Sequence, residues 1–330
     1  MNAPQNLLVL YTGGTIGMQM SEAGLAPASG FEARLRAEQA AHPERPAPAW
    51  RFQELSPPID SANMRQANWL AMRDAIVRAV DEQGADAVLL LHGTDTLAYS
   101  AAALSFLLLG IRVPVLLTGS MLPAGAEGSD AWPNLFGALE RLSQGVVPGV
   151  HLYFAGQLLH GARASKLKSE AFDAFVDMQR PRHGARAGGL PEALDYRRPR
   201  REVSIAVLPL FPGLSAATLC AVLASGVEAV LLECYGSGTG PADDAQVLAA
   251  LREARERGLV LAAISQCPLG HVDFGVYAAG SALAGVGLVG GGGMTREAAL
   301  GKLFGLLGAG LPVAEVERLF ALDLCGELAE

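Results

Sequence analysis

The stretch LLVLYTGGTIG, residues 7–17, decides the fold. Leu7 to Tyr11 are apolar without alternation, and paired glycines end the run before a helix could form. Such a run reads as a strand buried on both faces. The same unit recurs. Ala87 to His92 runs into GTDT, Val113 to Thr118 into GSMLP, and His151 to Phe154 into AGQ. Helical patterns lie between, at Gln66–Glu82 and Leu97–Leu109. Strands that alternate with helices predict an α/β fold on a doubly wound parallel sheet.

The pattern breaks at residues 180–202, RPRHGARAGGLPEALDYRRPRRE, which are rich in Pro, Gly and Arg and carry no apolar period. It then restarts: IAVLPL before FPG, AVLLEC before YGSGTG, LVLAAIS before QCP, and VGLVGG before GGM. The expected organisation is a larger amino-terminal α/β domain over 1–186, a linker over 187–202 and a smaller α/β domain over 203–330. A chain of 330 residues has the length for two domains.

Composition removes several classes of function. Hydrophobic residues make up 51% and charged residues 18%, and the net charge of −8 comes without a Lys/Arg-rich block. Nucleic acid and anionic membrane are therefore not expected as partners. The short basic run Arg197–Arg201 reads as a solvated linker. No apolar stretch reaches the roughly 20 residues that span a bilayer, and MNAPQNLLVLYTGG has no basic leader of a signal peptide. Cys220, Cys234, Cys267 and Cys325 lie far apart without a CxxC pair, as reduced thiols of a cytoplasmic protein do. The six histidines show no metal-ligand spacing. Only three of 25 basic residues are lysine, at 166, 168 and 302, so a retained lysine draws notice as a group able to act as a neutral amine.

Ligands of open α/β sheets bind beyond the carboxyl ends of the strands. In TGGTIG, Thr12 to Gly17, the glycines have neither dinucleotide nor phosphate-loop spacing. What stands out is Thr15, a hydroxyl at a strand end whose glycines allow close approach by a ligand. HGTDT, His92 to Thr96, offers Thr94 and Asp95 either as caps of the following helix or as chemistry. A threonine nucleophile needs a base. His92 is one candidate; Lys166 in GARASKLK is the better one, acting through Thr94, with Asp95 orienting it or binding a substrate amine. The run Gly290–Gly293 reads as a tight strand-to-helix turn.

TGGTIG, HGTDT and GARASK, in this order, resemble the bacterial-type L-asparaginase family, and within it the cytoplasmic type I branch. PPIDSANM, TGSMLP, GSDAWPN and VGGGGMT extend the resemblance over essentially the whole chain. It implies a smaller flavodoxin-like carboxy-terminal domain, a homotetramer formed as a dimer of dimers, no cofactor, and L-asparagine as substrate. It implies Thr15 as nucleophile, with Thr94, Asp95 and Lys166 moving protons and placing water. Ser61 would bind the substrate carboxylate, with Asp60 and Ala62 of the same Asp60-Ser61-Ala62-Asn63 segment also counted as substrate-binding, and Asp95 would bind the ammonium. Backbone N–H groups of Thr15 and Thr94 would face the oxyanion, and the Ser120 carbonyl the leaving amide.

Three departures stand out. Leu25 occupies the position where relatives carry a lid tyrosine, Thr239 stands where many have an asparagine reaching a neighbouring subunit, and DSAN replaces the commoner DSSD or GSQD. Rival readings are a glutaminase-asparaginase, the amidase subunit of a transamidation complex, a non-catalytic amino-acid-binding module, and a nucleotide-dependent oxidoreductase, whose glycine fingerprint is missing.

Overall fold

The computed structural model describes residues 3–22, 24–45, 47–178, 180–181 and 183–328. The chain forms two compact units, Met1–Asp177 and Met178–Glu330.

In the first unit the strands are β1 (Leu7–Gly13), β2 (Gln19–Ser21), β3 (Gly24–Ala26), β4 (Trp50–Ile59), β5 (Ala87–Leu91), β6 (Pro114–Thr118), β7 (Gly149–Phe154), β8 (Gln157–His160), β9 (Ala164–Lys166) and β10 (Phe175–Asp177). The helices are α1 (Phe31–Ala41), α2 (Gln66–Asp81), α3 (Leu97–Leu107) and α4 (Ala131–Gln144). The main sheet has the order β4-β1-β5-β6-β7-β8. It is parallel except for β8, which returns antiparallel to β7 through Ala155 and Gly156. Both turn residues have positive φ, as a tight hairpin of this kind requires. Edge strand β4 carries Pro57 and Pro58, which donate no ladder bond and are tolerated at a sheet edge.

β1 and β5 are buried along their whole length, which is why they read as continuous apolar runs rather than alternating ones. Leu7, Val9 and Tyr11 pack in one core with Phe31 and Leu35 of α1 and with Leu135, Leu139 and Leu142 of α4. Leu8 and Leu10 are fully buried on the other face, where α2 and α3 pack on one another and α3 on β6 and β7. Burying each such leucine stabilises the fold by roughly 1.5–3 kcal/mol.

The connections differ in hand. From β1 to β4 the chain steps one way across the sheet over the α1 face; from β5 to β6 it steps the other way over the α3 face. Those two crossovers share a hand. The step from β6 to β7 continues in the β5-to-β6 direction but passes over the α1 face through α4, so it has the opposite hand. Since crossovers are right-handed in about 98% of cases, α4 makes the left-handed one.

The second unit has β11 (Ile205–Pro209), β12 (Ala229–Cys234), β13 (Val260–Ser265) and β14 (Val289–Gly290), with α5 (Ala216–Leu223), α6 (Ala245–Glu256), α7 (Ala278–Gly285), α8 (Arg296–Gly308) and α9 (Val313–Phe320). Its parallel sheet runs β11-β12-β13-β14. Helices α5, α6 and α7 share one core with it, while α8 and α9 pack on the same strands separately. Buried inside, Lys302 pairs with Glu327 at 2.6 Å and donates to the Phe320 carbonyl at 3.0 Å. Residues 187–202 belong to this unit and include a short 3-10 turn at Glu192–Leu194. Arg182, in the Arg-rich stretch, lies outside the described residues.

The first sheet's strand ends meet backbone to backbone. A methyl on Gly13 would collide with the Ile59 backbone at the end of β4, one on Gly14 with Gly93 after β5, and one on Gly119 with the His92 carbonyl. Gly30, at the start of α1, has the same φ of +84° as Gly14 but open space around it. Gly30→Ala is expected to cost about 1 kcal/mol, the strain of a left-handed alanine. Gly14→Ala should cost at least about 2 kcal/mol more, from overpacking and because Gly14, with ψ 174° against 20° at Gly30, lies in a backbone region that glycine alone adopts readily. Urea denaturation of the two variants compares them, and equal costs would show the contact to be slack.

Candidate active site

Four strand ends and one outlying strand supply the residues. After β1, Gly14 donates to the Ile59 carbonyl at 3.0 Å, and the 3-10 turn Thr15–Gly17 follows. Thr15 is half-buried, and its hydroxyl hydrogen-bonds to no other described residue. A hydroxyl at a crevice edge with no structural commitment is free to meet a ligand.

After β4, Asp60 caps the turn Ser61–Asn63 by accepting from Ala62 N at 3.1 Å. Ser61 is buried, and its carbonyl accepts from the Thr96 hydroxyl at 2.9 Å. Its own hydroxyl lies against Gly93: a Cβ there would sit 2.5 Å from Ser61 Oγ. Ala62 is exposed, and the Asp60 carboxylate is committed to its cap.

After β5, Thr94 and Asp95 precede α3. Lys166 Nζ donates to Thr94 Oγ1 at 3.0 Å and to Asp95 Oδ1 at 2.9 Å. The lysine side chain is 18% exposed and the aspartate 62%. Lys166 ends β9, which pairs with β10 and packs on α3. Small side chains make that approach possible, since α3 reads LAYSAAALSFL. A hydroxyl, an ammonium and a carboxylate thus share one point, assembled from residues 71 and 72 positions apart. Lys168, two residues on, is instead an exposed cation paired with Asp173.

After β6, Ser120 is buried and its hydroxyl donates to the Leu122 carbonyl at 2.6 Å. Ala124 N donates to the Ile16 carbonyl at 3.2 Å, which ties this loop to the Thr15 turn.

His92 is a core histidine. It is fully buried, Nδ1 lies 2.7 Å from the Gly93 carbonyl, and Nε2 lies 2.8 Å from Ser100 Oγ. The indole of Trp69 donates to that same Ser100 oxygen at 2.8 Å. The chain of donors therefore fixes the proton on Nδ1 and leaves Nε2 accepting. Burial pushes the imidazole pKa down to about 4.

Sequence reasoning did not single out Tyr11, Asp130 or Asn134. Tyr11 stacks on Phe31 at 5.3 Å, lies against Gly17 under the Thr15 turn, and donates to the Ala28 carbonyl at 2.9 Å. Burial, aided by the negative charge of Glu54, pushes its phenol up to about 12, so it is a donor rather than a base. Nothing in a run of apolar residues announces that role. Asp130 accepts from Met121 N at 3.0 Å and Leu122 N at 3.1 Å, and Asn134 donates to the Gly119 carbonyl at 3.0 Å. The four-residue spacing of Asp130 and Asn134 puts both on one face of α4 without saying what that face meets. The 18–30 loop forms the β2–β3 hairpin, in which Leu25 pairs with Met20 and is half exposed; Ala23 lies outside the described residues. Among the described residues no group of three His, Cys, Asp or Glu converges as metal ligands would.

Residues 6–194 match the family model described as Asparaginase, N-terminal, and residues 204–320 the one described as Glutaminase/Asparaginase C-terminal domain. This chain belongs to the asparaginase family. It is 37% identical to L-asparaginase 1 of Escherichia coli K12, over 98% of each chain. Among solved structures it resembles L-asparaginase I from Vibrio cholerae, with a TM-score of 0.84, 32% identity and 100% coverage of both chains. The thermostable L-asparaginase from Thermococcus kodakarensis gives a TM-score of 0.84 at 31% identity, over 98% of this chain and 99% of that one. Within this asparaginase chain Thr239 donates to the Tyr235 carbonyl at 3.4 Å in a short turn of the second unit.

The depressed His92 pKa has a definite sign. Between the ordinary value of 6.5 and about 4 the unfolded chain binds a proton that the folded chain refuses. Stability from this group is therefore complete above pH 6.5 and falls, by about 3 kcal/mol, as pH drops to 4. His92→Gln should flatten that part of the stability–pH curve in chemical denaturation while leaving measurable activity at pH 7. An inactive but folded His92→Gln protein would return the imidazole to the list of bases.

Proposed function

We propose that the chain hydrolyses the side-chain amide of L-asparagine to L-aspartate and ammonia, with Thr15 as nucleophile. The observation that carries this reading is the Lys166 amine held on Thr94 and Asp95 at 3.0 and 2.9 Å, in the unit that also presents the uncommitted Thr15 hydroxyl. The names of the relatives support the substrate. Thr15 Oγ attacks the amide carbon and loses its proton toward the Thr94–Lys166 pair. Backbone N–H groups of Thr15 and Thr94 hold the oxyanion, each contributing about 3 kcal/mol. Collapse breaks the C–N bond, the nitrogen leaves protonated as ammonia, and an aspartyl ester remains on Thr15. Water activated by the same pair then hydrolyses it.

Ser61 binds the substrate carboxylate, with Asp60 and Ala62 fixing its turn, and Asp95 binds the ammonium. Leu25 offers no hydroxyl on the hairpin, so proton transfer from Thr15 falls to Thr94 and Lys166.

The working form is a cytoplasmic homotetramer, a dimer of dimers, with Thr239 of one chain near another's site. Phe211, Leu269, Val276 and Tyr277, all exposed on loops of the second unit, support a buried interface. Among the described residues no helix is long and apolar enough to cross a membrane.

Thr15→Ala is expected to abolish ammonia release from asparagine, whereas wild type should release more from asparagine than from glutamine at equal low concentration. Lys166→Arg keeps the charge but cannot deprotonate, so it should be nearly as damaging as Lys166→Met. Lys168→Arg is the control and should be active. A tenth of wild-type kcat in Thr15→Ala, or an active Lys166→Arg, defeats the assignment. Light scattering that finds a fully active monomer defeats the assembly.

A further inference from the structure

The turn after β6 is held from one side by the first turn of α4. Both carboxylate oxygens of Asp130 accept from Met121 N at 3.0 Å, and Oδ1 also accepts from Leu122 N at 3.1 Å. Asn134, one helical turn on, donates to Asp130 Oδ2 and to the Gly119 carbonyl, both at 3.0 Å, and accepts from Ala155 N at 3.0 Å. Asp130 and Asn134 are both buried, at 8% and 2% exposure. Asn134 thereby also pins Ala155, whose φ of 47° a non-glycine residue rarely adopts.

One peptide in this turn differs from its neighbours. The Ser120–Met121 unit has its N–H on the Asp130 carboxylate, while no described residue donates to its C=O, the Ser120 carbonyl. In a trans peptide the N–H and C=O point in opposite directions. Fixing the N–H on Asp130 therefore aims the Ser120 oxygen away from α4. A hydrogen bond to a full negative charge also polarises the peptide, which makes the oxygen at its other end a stronger acceptor.

Resting on the amide-hydrolysis reading of this site, we infer that Asp130 is a positioning residue that aims and polarises the Ser120 carbonyl for the leaving nitrogen. The carbonyl accepts an N–H of the substrate amide, and the bond strengthens as the nitrogen gains a proton and the C–N bond breaks. Asn134 holds the Asp130 carboxylate in place but does not touch that peptide. The device selects amides, because an ester leaving group has no N–H to offer.

The test compares asparagine with L-aspartate β-methyl ester in wild type and Asp130→Asn, with thermal unfolding measured alongside. Asp130→Ser, a smaller neutral side chain, serves where the first variant does not fold. Either variant is expected to lose about tenfold in kcat on the amide and less than about threefold on the ester, the scale of one charge-assisted hydrogen bond. Asn134→Ala, which loosens the Asp130 carboxylate without removing it, should likewise lower the amide rate more than the ester rate, by less than the Asp130 variants do. Equal losses on amide and ester in a folded Asp130 variant would overturn the inference while leaving the hydrolytic reading intact. A wild-type protein that releases no ammonia from asparagine would instead remove the reading on which it rests.

Discussion

Everything at the carboxyl edge of the first sheet depends on backbone touching backbone at Gly13, Gly14, Gly93 and Gly119. At Gly13, Gly14 and Gly119 a single methyl would run into a neighbouring strand end's backbone, and at Gly93 into the Ser61 side chain, with the Gly14 backbone just behind it. Closeness is what allows short side chains to act together. A serine or threonine hydroxyl reaches only a few ångströms from its backbone, so Ser61, Thr94 and Thr15 can serve one small ligand only if their main chains nearly meet. Where glycine brings the peptides together, the chemistry can be done by hydroxyls and peptide groups, and only Lys166 need be long.

The polar network around the edge is layered. Thr12 donates to the Leu91 carbonyl at 2.9 Å and Thr118 to the Tyr153 carbonyl at 2.8 Å, which satisfies peptides where the ladder ends. Thr96 does the same for Ser61, and the Trp69–Ser100–His92 relay for Gly93. These groups hold the peptides that in turn present the hydroxyls of Ser61 and Thr94. The division explains why HGTDT carries a histidine with no free nitrogen beside a threonine that meets a lysine.

Much of the fold was legible because parallel strands buried on both faces leave continuous apolar runs. Leu7–Gly13 and Ala87–Leu91 were visible for that reason, and Gln66–Asp81 for its helical period. Trp50–Ile59 was not, since an edge strand with two prolines and mixed polarity has neither signature. The glycine turns mark Thr15 and Thr94 as hydroxyls just past strand ends, and Lys166 stands out as one of only three lysines among 25 basic residues. Tyr11 and Asp130 stayed hidden. Their parts depend on which loop lies above a core ring or opposite a helix end, and no local pattern encodes that.

The left-handed crossover explains how Lys166 reaches the site at all. Had α4 followed the common hand, it would lie on the α3 face of the sheet, beside α3 and over β7. In the structure α3 itself packs on β7, and β9 runs against α3, carrying Lys166 to Thr94 and Asp95. Sending α4 to the opposite face vacates that space. It also brings the amino end of α4 against the β6 turn from the other side, where Asp130 meets Met121 and Leu122. Helix beginnings then flank the strand ends from both faces, α3 with the threonine and aspartate that meet Lys166 and α4 with the carboxylate that accepts from Met121 and Leu122. A right-handed connection would have crowded both devices onto one face, with no room for the lysine strand between them.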